Sequence, residues 1–238
     1  MKLSIVIPVF NELASLGTLY DRIQQVVLKG VEKEVIFVDD GSTDGSRALL
    51  QQWLRPEENV NSKSLKVLFH VRNQGKGAAL RTGFREATGD YVIVQDADLE
   101  YDPEDYQRLL DVMLGQNLKV VYGSRILESR NTKHSHLVSY LGARMLTVIT
   151  NFLFGLNLTD EPTCYKMFQR ELLQSLDLRC KRFEFCPEVT AKVAKRNIPI
   201  VEVPIRYYPR SWAQGKKIGW RDFFEALWTL IKERFSKQ

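Results

Sequence analysis

The chain has 238 residues and a formal net charge of +5, from 34 Lys and Arg against 29 Asp and Glu. Its 44% hydrophobic and 26% charged residues are ordinary for a globular protein, which excludes the disordered, collagen-like and coiled-coil classes. Three widely spaced cysteines without a CxxC pair argue against a zinc ribbon or a disulfide scaffold. The positive charge suits an anionic partner, and nucleic acid, nucleotide phosphates and acidic lipid all qualify.

Strand-like and helix-like segments alternate along the first 125 residues. The run Leu3–Val9 is short and rich in Ile and Val, as a buried parallel strand should be. Further strands are predicted over Glu34–Val38, Leu65–Val71, Tyr91–Val94 and Lys119–Tyr122, and helices over Leu13–Leu28, after Asp44, over Gly75–Ala87 and from Pro103. This alternation predicts an α/β fold with a mostly parallel sheet and helices on both faces.

The pattern changes after Arg125. A polar loop over Ile126–His136 leads to a long apolar helix over Leu137–Phe154. The remaining predicted elements are a helix over Phe183–Arg196, a strand over Ile198–Tyr208, a Gly/Lys-rich loop over Gln214–Gly219 and an amphipathic helix from Trp220. No internal repeat or Pro/Gly linker occurs, so we expect a single domain over 1–238. The first apolar run is too short for a signal peptide, and no stretch is apolar enough to predict a membrane span.

Polar residues follow the predicted strands where each of them ends. They are Asn11-Glu12, Asp39-Asp40, Asp96–Asp98 and Gly123–Arg125. Ligands of parallel α/β sheets bind outside the carboxyl ends of the strands. The sequence therefore predicts a binding site at this edge of the sheet.

Asp96 and Asp98 are the strongest candidates for metal ligands. They stand two residues apart at a strand end, so both carboxylates can point the same way. Mg²⁺ and Mn²⁺ take oxygen ligands and bridge carboxylates to substrate phosphates, and Glu100 is a candidate third ligand. A calcium loop is a rival, but it requires a glycine where Tyr101 stands. The alternative without a ligand is a solvated turn.

Two other loops carry candidate polar groups. Asp39 can accept hydrogen bonds from a base or a ribose, while Ser42, Thr43 or Asp44 can cap the following helix. The segment Asn73–Gly77 matches neither a phosphate-binding loop nor a dinucleotide-binding loop. Its glycines are better explained by a tight turn that opens a helix.

Several cations and one carboxylate in the second half are further candidates. The cations that could clamp a diphosphate or an acceptor phosphate are Arg125, Lys181, Arg210, Lys216 and Lys217. Taken singly, each is more often a solvated surface charge. Glu188 lies on a helix among apolar neighbours, so it is either a partly buried functional carboxylate or half of a structural ion pair.

Together, these segments resemble the family 2 glycosyltransferases. The carriers in the first half are Ile5–Glu12, Val38–Ser46, Asn73–Asp105 and Gly123–Arg125. The segments Thr163–Phe168, Arg182–Val189 and Val203–Gly219 make the chain similar to dolichyl-phosphate mannose synthases and bacterial polyprenyl-phosphate hexosyltransferases. The resemblance implies a single GT-A domain, with a nucleotide-sugar half (1–125), an acceptor half (126–218) and a C-terminal amphipathic helix (219–238).

The resemblance also implies a reaction and its residues. A hexose would move, with inversion, from a GDP- or UDP-sugar to polyprenyl or dolichyl phosphate, with Mg²⁺ or Mn²⁺. The carry-over assigns Asp98, Arg125 and Glu188 to catalysis, Asp96, Asp98 and Glu100 to the metal, and Pro8, Phe10, Glu12, Asp39, Asp40, Asp96, Ala97, Arg125, Lys181, Arg210 and Lys217 to the substrates. Glu100 stands where many relatives have Gln, and Arg206 is the rival of Arg210 for one phosphate contact.

Other functions stay open at this point. A hydroxyl acceptor on a glycan or glycolipid would need a general base, and Glu188 is the candidate. An inactive nucleotide-sugar binding subunit is a further possibility. Nucleic acid is not an expected partner, because no basic stripe with interleaved aromatics occurs. The last helix could pack on the core or lie in a bilayer interface. We expect a cytoplasmic protein held at the membrane face, by direct contact or by a membrane partner subunit.

Overall fold

The computed structural model describes residues 1–55, 64–128, 137–210 and 220–236. The strands are β1 (Lys2–Val9), β2 (Glu32–Asp39), β3 (Leu65–Phe69), β4 (Tyr91–Val94), β5 (Val120–Ser124), β6 (Lys166–Gln169) and β7 (Val201–Pro204). The helices are α1 (Leu13–Gln25), α2 (Ser46–Trp53), α3 (Lys76–Glu86), α4 (Tyr106–Gly115), α5 (Leu137–Phe154), α6 (Arg170–Ser175), α7 (Phe185–Lys195) and α8 (Trp220–Phe235). A 3₁₀ turn over Pro103–Asp105 precedes α4.

The first of two compact units comprises Met1–Leu99 and Met167–Arg182. Its strands follow the order β3-β2-β1-β4-β6, with every neighbouring pair parallel except β4 and β6. β1 is buried along almost its whole length, as a parallel strand covered on both faces must be. The register sets Val9 beside Asp39 and Val6 beside Val94, so the ends of β1, β2 and β4 are neighbours.

The second unit comprises Glu100–Lys166 and Phe183–Gln238. β5 and β7 pair in parallel, with Tyr122 opposite Glu202. Helices α5, α7 and α8 contact one another. A small apolar core between α5 and α8 is formed by Leu146, Ala226 and Leu230.

The α/β class with a mostly parallel sheet is confirmed, and most predicted elements occur within a few residues of their expected bounds. β7 is shorter than the predicted strand over 198–208, and beyond it Tyr207 makes only an isolated bridge with Tyr101. β6 and α6 were not predicted, because four and six residues are too short to show a periodic pattern. β6 runs antiparallel to β4, which places 167–182 in the first unit.

Candidate active site

The loop between β1 and α1 is fastened to the loop before α2. The backbone amide of Asn11 donates to Ser42 Oγ at 3.0 Å, and that of Glu12 donates to Ser46 Oγ at 3.0 Å. Asn11 has a φ of 54°, a left-handed conformation that asparagine tolerates better than most residues. The predicted nucleoside contacts Phe10 and Glu12 are therefore held beside the segment that follows Asp39.

The start of α2 differs from the predicted cap. Gly45 is the N-cap residue, with a φ of 101°, so none of Ser42, Thr43 and Asp44 occupies that position. Asp44 still accepts the backbone amide of Ser46 at 2.9 Å, which satisfies one of the donors at the helix end. Burial opposes ionisation of Asp44, yet the hydrogen bonds from Ser46 and Leu13 lower the pKa of its carboxyl.

Asp39 is fully buried and bound by a cation that sequence analysis missed. Its Oδ2 atom accepts Arg47 Nε at 2.8 Å and also lies 2.8 Å from Arg47 Nη2. Its Oδ1 atom accepts the amide of Ser42 at 3.3 Å. The contact of Asp39 with a nucleoside stays a prediction, and the structure shows how its carboxylate is oriented.

Asp40 organises the loop that leads into α3. Its Oδ1 atom lies 2.7 Å from His70 Nδ1 and accepts the amide of Gln74 at 2.9 Å, and its Oδ2 atom accepts the amide of Gly75 at 2.7 Å. These are protein donors, so the structure gives Asp40 a positioning role, and its contact with substrate stays a prediction.

Gly75 confirms the predicted tight turn at the start of α3. Its φ of 98° and ψ of 158° are open almost exclusively to glycine. A Cβ atom there would lie 2.3 Å from the carbonyl oxygen of Lys181. The amide of Ala78 donates to that same oxygen at 3.0 Å. The backbone of Lys181 is thus seated on the first turn of α3, while its side chain is exposed.

Lys76, the first residue of α3, forms an ion pair with Asp96. Its Nζ atom lies 2.5 Å from Oδ1 of Asp96, and both side chains are 20% exposed. Asp96 follows the end of β4, and Leu99, three residues on, has a φ of 63°. Such strain in a bulky residue is frequent at ligand-binding turns.

The predicted metal ligands, Asp96 and Asp98, are carboxylates and so chemically suited to a divalent metal, but they do not by themselves form a complete coordination shell. Among the described residues, no group of three or more His, Cys, Asp or Glu side chains is placed to hold a metal ion. Asp96 does accept a cation at hydrogen-bond distance, since Lys76 contacts it. Two carboxylates with water and phosphate oxygens are a usual shell for Mg²⁺, so the donors present fit a metal that arrives with a diphosphate.

In the second unit, Arg125 is fixed by a buried carboxylate. Its Nε and Nη2 atoms donate to Asp160 at 2.7 and 2.6 Å, and its backbone amide donates to the same carboxylate at 2.9 Å. Burial alone would raise the pKa of Asp160, but the charge and hydrogen bonds of Arg125 lower it. Burial opposes the charge of Arg125 as well, yet Asp160 raises its pKa well above the ordinary value. Both groups are therefore charged at neutral pH.

Tyr207 links three of the predicted site residues. The guanidinium of Arg125 lies over its ring, 5.1 Å from the centroid. Its hydroxyl donates to Glu100 Oε2 at 2.9 Å, and Glu100 Oε1 accepts the backbone amide of Arg210 at 2.7 Å. The structure therefore joins Glu100, Arg125 and Arg210. The role of Glu100 as a metal ligand stays a prediction.

Arg206, the rival of Arg210, belongs to a structural ion-pair network. Its Nε and Nη2 atoms each donate to Asp105 at 3.2 Å, and Nη1 lies 3.2 Å from Asp102. Burial raises the pKa of Asp105, although Arg206 acts in the opposite direction. These bonds hold Arg206 to the turn before α4. The other predicted phosphate contacts, Lys216 and Lys217, lie outside the described residues.

Glu188 is buried in the first turn of α7 and paired. It is 3% exposed, and its Oε1 atom lies 2.9 Å from Lys192 Nζ. The ion-pair interpretation of Glu188 is confirmed by this contact. A functional role of Glu188 in addition to the pair stays a prediction.

The profile described as Glycosyl transferase family 2 matches residues 4–177. The chain belongs to glycosyl transferase family 2. The UDP-N-acetylglucosamine–dolichyl-phosphate N-acetylglucosaminyltransferase of Methanococcus voltae is 28% identical, over 94% of each chain. The undecaprenyl-phosphate mannosyltransferase of Micrococcus luteus is also 28% identical, over 92% of this chain and 88% of that one. The family and these relatives make the protein a glycosyltransferase.

Solved structures confirm the fold class. The glucosyl-3-phosphoglycerate synthase of Mycobacterium tuberculosis superposes with a TM-score of 0.68 at 22% identity, covering 100% of this chain and 82% of that one. One structure of that synthase contains Mn²⁺, UDP-glucose and phosphoglyceric acid. At this level of identity the likeness establishes the GT-A fold of the glycosyltransferase and no more.

Sequence reasoning missed several residues of this glycosyltransferase that hold the predicted ones in place. They are Arg47, His70, Lys76, Asp160 and Tyr207. Lys76 lies in the segment Asn73–Gly77, whose glycines predict a turn but whose lysine has no local partner, since Asp96 is 20 residues away. Asp160 and Tyr207 gave no local signal, because their partners are 35 and 107 residues away.

Proposed function

We propose that this glycosyltransferase moves a hexose of mannose or glucose type from a nucleotide sugar to polyprenyl or dolichyl phosphate, with inversion. The carrying observation is the carboxylate of Asp96 at the end of β4, in contact with Lys76. This is where a nucleotide diphosphate binds in an open α/β sheet. The names of the archaeal and bacterial relatives support a lipid phosphate as acceptor.

The donor would be held by the loops at the ends of β1, β2 and β4. Pro8, Phe10, Glu12 and Asp39 would contact the nucleoside, and Asp96 and Asp98 would hold Mg²⁺ or Mn²⁺. When bound, the metal neutralises charge that develops on the leaving diphosphate. The Mn²⁺ and UDP-glucose in the mycobacterial synthase support this assignment.

The acceptor phosphate would be held by cations, with no strong base. A phosphate oxygen is already ionised at neutral pH, so the attacking group needs no deprotonation. Arg125, oriented by Asp160, and Arg210, whose amide is bound by Glu100, would neutralise phosphate charge. Lys181 and Lys217 complete the proposed set.

The proposed arrangement is one GT-A domain, with donor contacts concentrated in 1–125 and acceptor contacts in 126–218. We also propose that the enzyme works at the cytoplasmic face of a membrane, bound there peripherally or through a membrane partner subunit. No helix among the described residues is long and apolar enough to cross a bilayer.

The test is transfer of labelled sugar from a panel of GDP- and UDP-hexoses to polyprenyl phosphate, with Mn²⁺, Mg²⁺ or EDTA. We expect one donor to give a chloroform-extractable product that EDTA abolishes, and Asp98→Asn to lower its formation about 100-fold or more. A product that retains the anomeric configuration of the donor would contradict single displacement.

Two other functions have distinct outcomes in the same assay. A hydroxyl acceptor is favoured by the buried carboxylate of Glu188, which is placed on a helix and could act as a base. It would give a product with glycan or glycolipid acceptors and none with lipid phosphate. A nucleotide-sugar binding subunit would bind the donor but yield no transfer to any acceptor.

A further inference from the structure

The carboxylate of Asp39 is shielded from solvent by protein donors. Its side chain is 0% exposed, and Nε and Nη2 of Arg47 both lie 2.8 Å from its Oδ2 atom. Its Oδ1 atom accepts the backbone amide of Ser42 at 3.3 Å. The side chain of Arg47, by contrast, is 33% exposed. Of this ion pair, Arg47 is therefore the group that a ligand can reach.

Two further contacts fix the guanidinium group of Arg47 in place. Its Nη2 atom donates to the backbone carbonyl oxygen of His70, directly after β3. Its central carbon lies 5.4 Å from the centroid of the Phe69 ring, in a cation–π contact. Because Asp39 ends β2 and Phe69 ends β3, Arg47 lies at the carboxyl ends of two parallel strands. Ligands of parallel α/β sheets bind at this edge.

One nitrogen of Arg47 is left for a ligand. Nε and Nη2 have protein partners, and none of the residues that the structure describes forms a hydrogen bond or an ion pair with Nη1. A guanidinium nitrogen of this kind carries two N–H donors and no acceptor. Because the rest of the group is already held, little side-chain entropy is lost when a ligand binds. A fixed donor can discriminate an acceptor from another donor.

We propose that Nη1 of Arg47 donates to a keto oxygen on the base of the nucleotide sugar, and so selects uracil and guanine over cytosine and adenine. Uracil O4 and guanine O6 are acceptors, whereas cytosine and adenine carry amino donors at the corresponding positions. An amino group facing Nη1 would leave both donors without an acceptor, which lowers affinity. The inference deepens the proposed function and rests on it, because it concerns the base of the proposed substrate. The predicted contact of Asp39 with the nucleoside is then made through Arg47.

A merely structural role is the other account of Arg47. In that role it would neutralise the buried charge of Asp39 and hold the end of β3 through the carbonyl of His70. The two accounts differ in one measurable quantity, the ratio of affinities for keto and amino bases. Loss of a structural contact weakens the binding of every nucleotide alike, whereas loss of the keto contact weakens only UDP and GDP.

The experiment is calorimetric titration of the protein with UDP, GDP, CDP and ADP in the presence of Mn²⁺. We expect the better of UDP and GDP to bind about tenfold or more tightly than both CDP and ADP. Arg47→Lys keeps a positive charge beside Asp39 but has one side-chain nitrogen in place of three, so this ratio should fall to about threefold or less. Arg47→Gln, which can still donate to Asp39, should do the same and is available if the lysine variant does not fold. The matched control is Arg221→Lys, since Arg221 pairs with Glu225 on α8, and all four affinities should stay within about twofold.

Three results would overturn the inference. They are a wild type that binds CDP or ADP as tightly as the better of UDP and GDP, a folded Arg47 variant that retains the wild-type preference, and equal weakening of all four nucleotides in the variants. Circular dichroism verifies the fold of each variant. A wild type that binds none of the four nucleotides contradicts the proposed function itself, whereas binding without preference among the bases contradicts the inference alone.

Discussion

The Nζ atom of Lys76 lies 2.5 Å from Oδ1 of Asp96. A carboxylate predicted to bind a divalent metal is therefore already paired with a cation of the protein. A metal at Asp96 must compete with this ammonium group or displace it. The displaced ammonium would then be near the diphosphate, where a positive charge is again favourable.

We predict that Lys76→Met binds Mn²⁺ about fivefold more tightly than the wild type, in the absence of nucleotide. Removing the ammonium group removes a competitor worth about 1 kcal/mol at a partly exposed site. Free Mn²⁺ is measured by electron paramagnetic resonance during titration. Lys66→Met is the control, because Lys66 pairs with Glu34, a carboxylate outside the candidate site. Equal or weaker Mn²⁺ binding by Lys76→Met would contradict competition at Asp96.

Asp160→Asn should destabilise the protein by about 3 kcal/mol, because it leaves Arg125 without its buried counter-charge. Asp177→Asn is a closely matched control. Asp177 contacts Arg179 at 2.5 Å, but both side chains are more than 70% exposed, so we expect a change below about 0.5 kcal/mol. Denaturation with urea measures both variants. Similar losses of unfolding free energy in the two variants would show that burial does not increase the contribution of the Arg125–Asp160 pair to stability.

Gly75→Ala should be opposed both by the backbone conformation of Gly75 and by a steric clash, and should therefore cost more stability than Gly30→Ala. The new Cβ atom would lie 2.3 Å from the carbonyl oxygen of Lys181, and the turn before α3 would have to open. Gly30→Ala is the control, because Gly30 also has a positive φ, of 67°, but nothing lies within 4 Å of its Cβ position. We expect the free energy of unfolding to fall by about 1 kcal/mol in Gly30→Ala and by about 2 kcal/mol or more in Gly75→Ala. Equal losses of unfolding free energy would contradict both the steric clash and the additional backbone strain at Gly75.

Glu34 should make stability fall in acid. Burial opposes its ionisation, but hydrogen bonds from Ser4, Thr88 and Lys66 lower its pKa to about 2 from 4.5. The unfolded chain takes up the proton first as pH falls, so this stabilisation is complete above about pH 4.5 and is lost between there and about 2.

At pH 7 we expect the free energy of unfolding of Glu34→Gln to be about 2 to 3 kcal/mol lower than that of the wild type. This difference in free energy of unfolding between wild type and variant should become smaller as pH falls below about 4.5. Glu32→Gln, at an exposed position of the same strand, controls for the loss of one charge and should change stability by less than about 0.5 kcal/mol. Urea denaturation at a series of pH values measures this difference. A difference that does not change with pH would contradict the assignment of the acid-dependent stability to Glu34.

Glu188→Gln discriminates between the two classes of acceptor. With a lipid phosphate we expect kcat to fall less than about tenfold, because no base is needed. With a hydroxyl acceptor, loss of the base should lower kcat about 100-fold or more. Lys192→Met removes the ion pair from the other side and is the control. If both variants lower kcat and stability equally, Glu188 acts only through the pair.

Local sequence patterns were sufficient for much of the first unit. The apolar run of β1 and the helical spacing of α1 appear in the structure close to their predicted bounds. That the acidic residues after β2 and β4 lie at one edge of the sheet could be predicted from the strand–helix alternation, since parallel strands end at a common edge. The burial of whole strands and the turn at Gly75 could be predicted from a short stretch of sequence, because the first gives a continuous apolar run and the second requires glycine.

The tertiary structure decided which distant groups meet. Lys76 with Asp96, Asp160 with Arg125, and Tyr207 with Glu100 are pairs whose members are separated by 20 to 107 residues. Local periodicity reports whether a residue faces the core, but it carries no information on which distant charge lies opposite. Only folding brings such charges within hydrogen-bond distance and removes the water that would otherwise screen them. The two faces of α8 illustrate the same limit: its apolar residues were readable in the sequence, and packing against α5 selected which of them are buried.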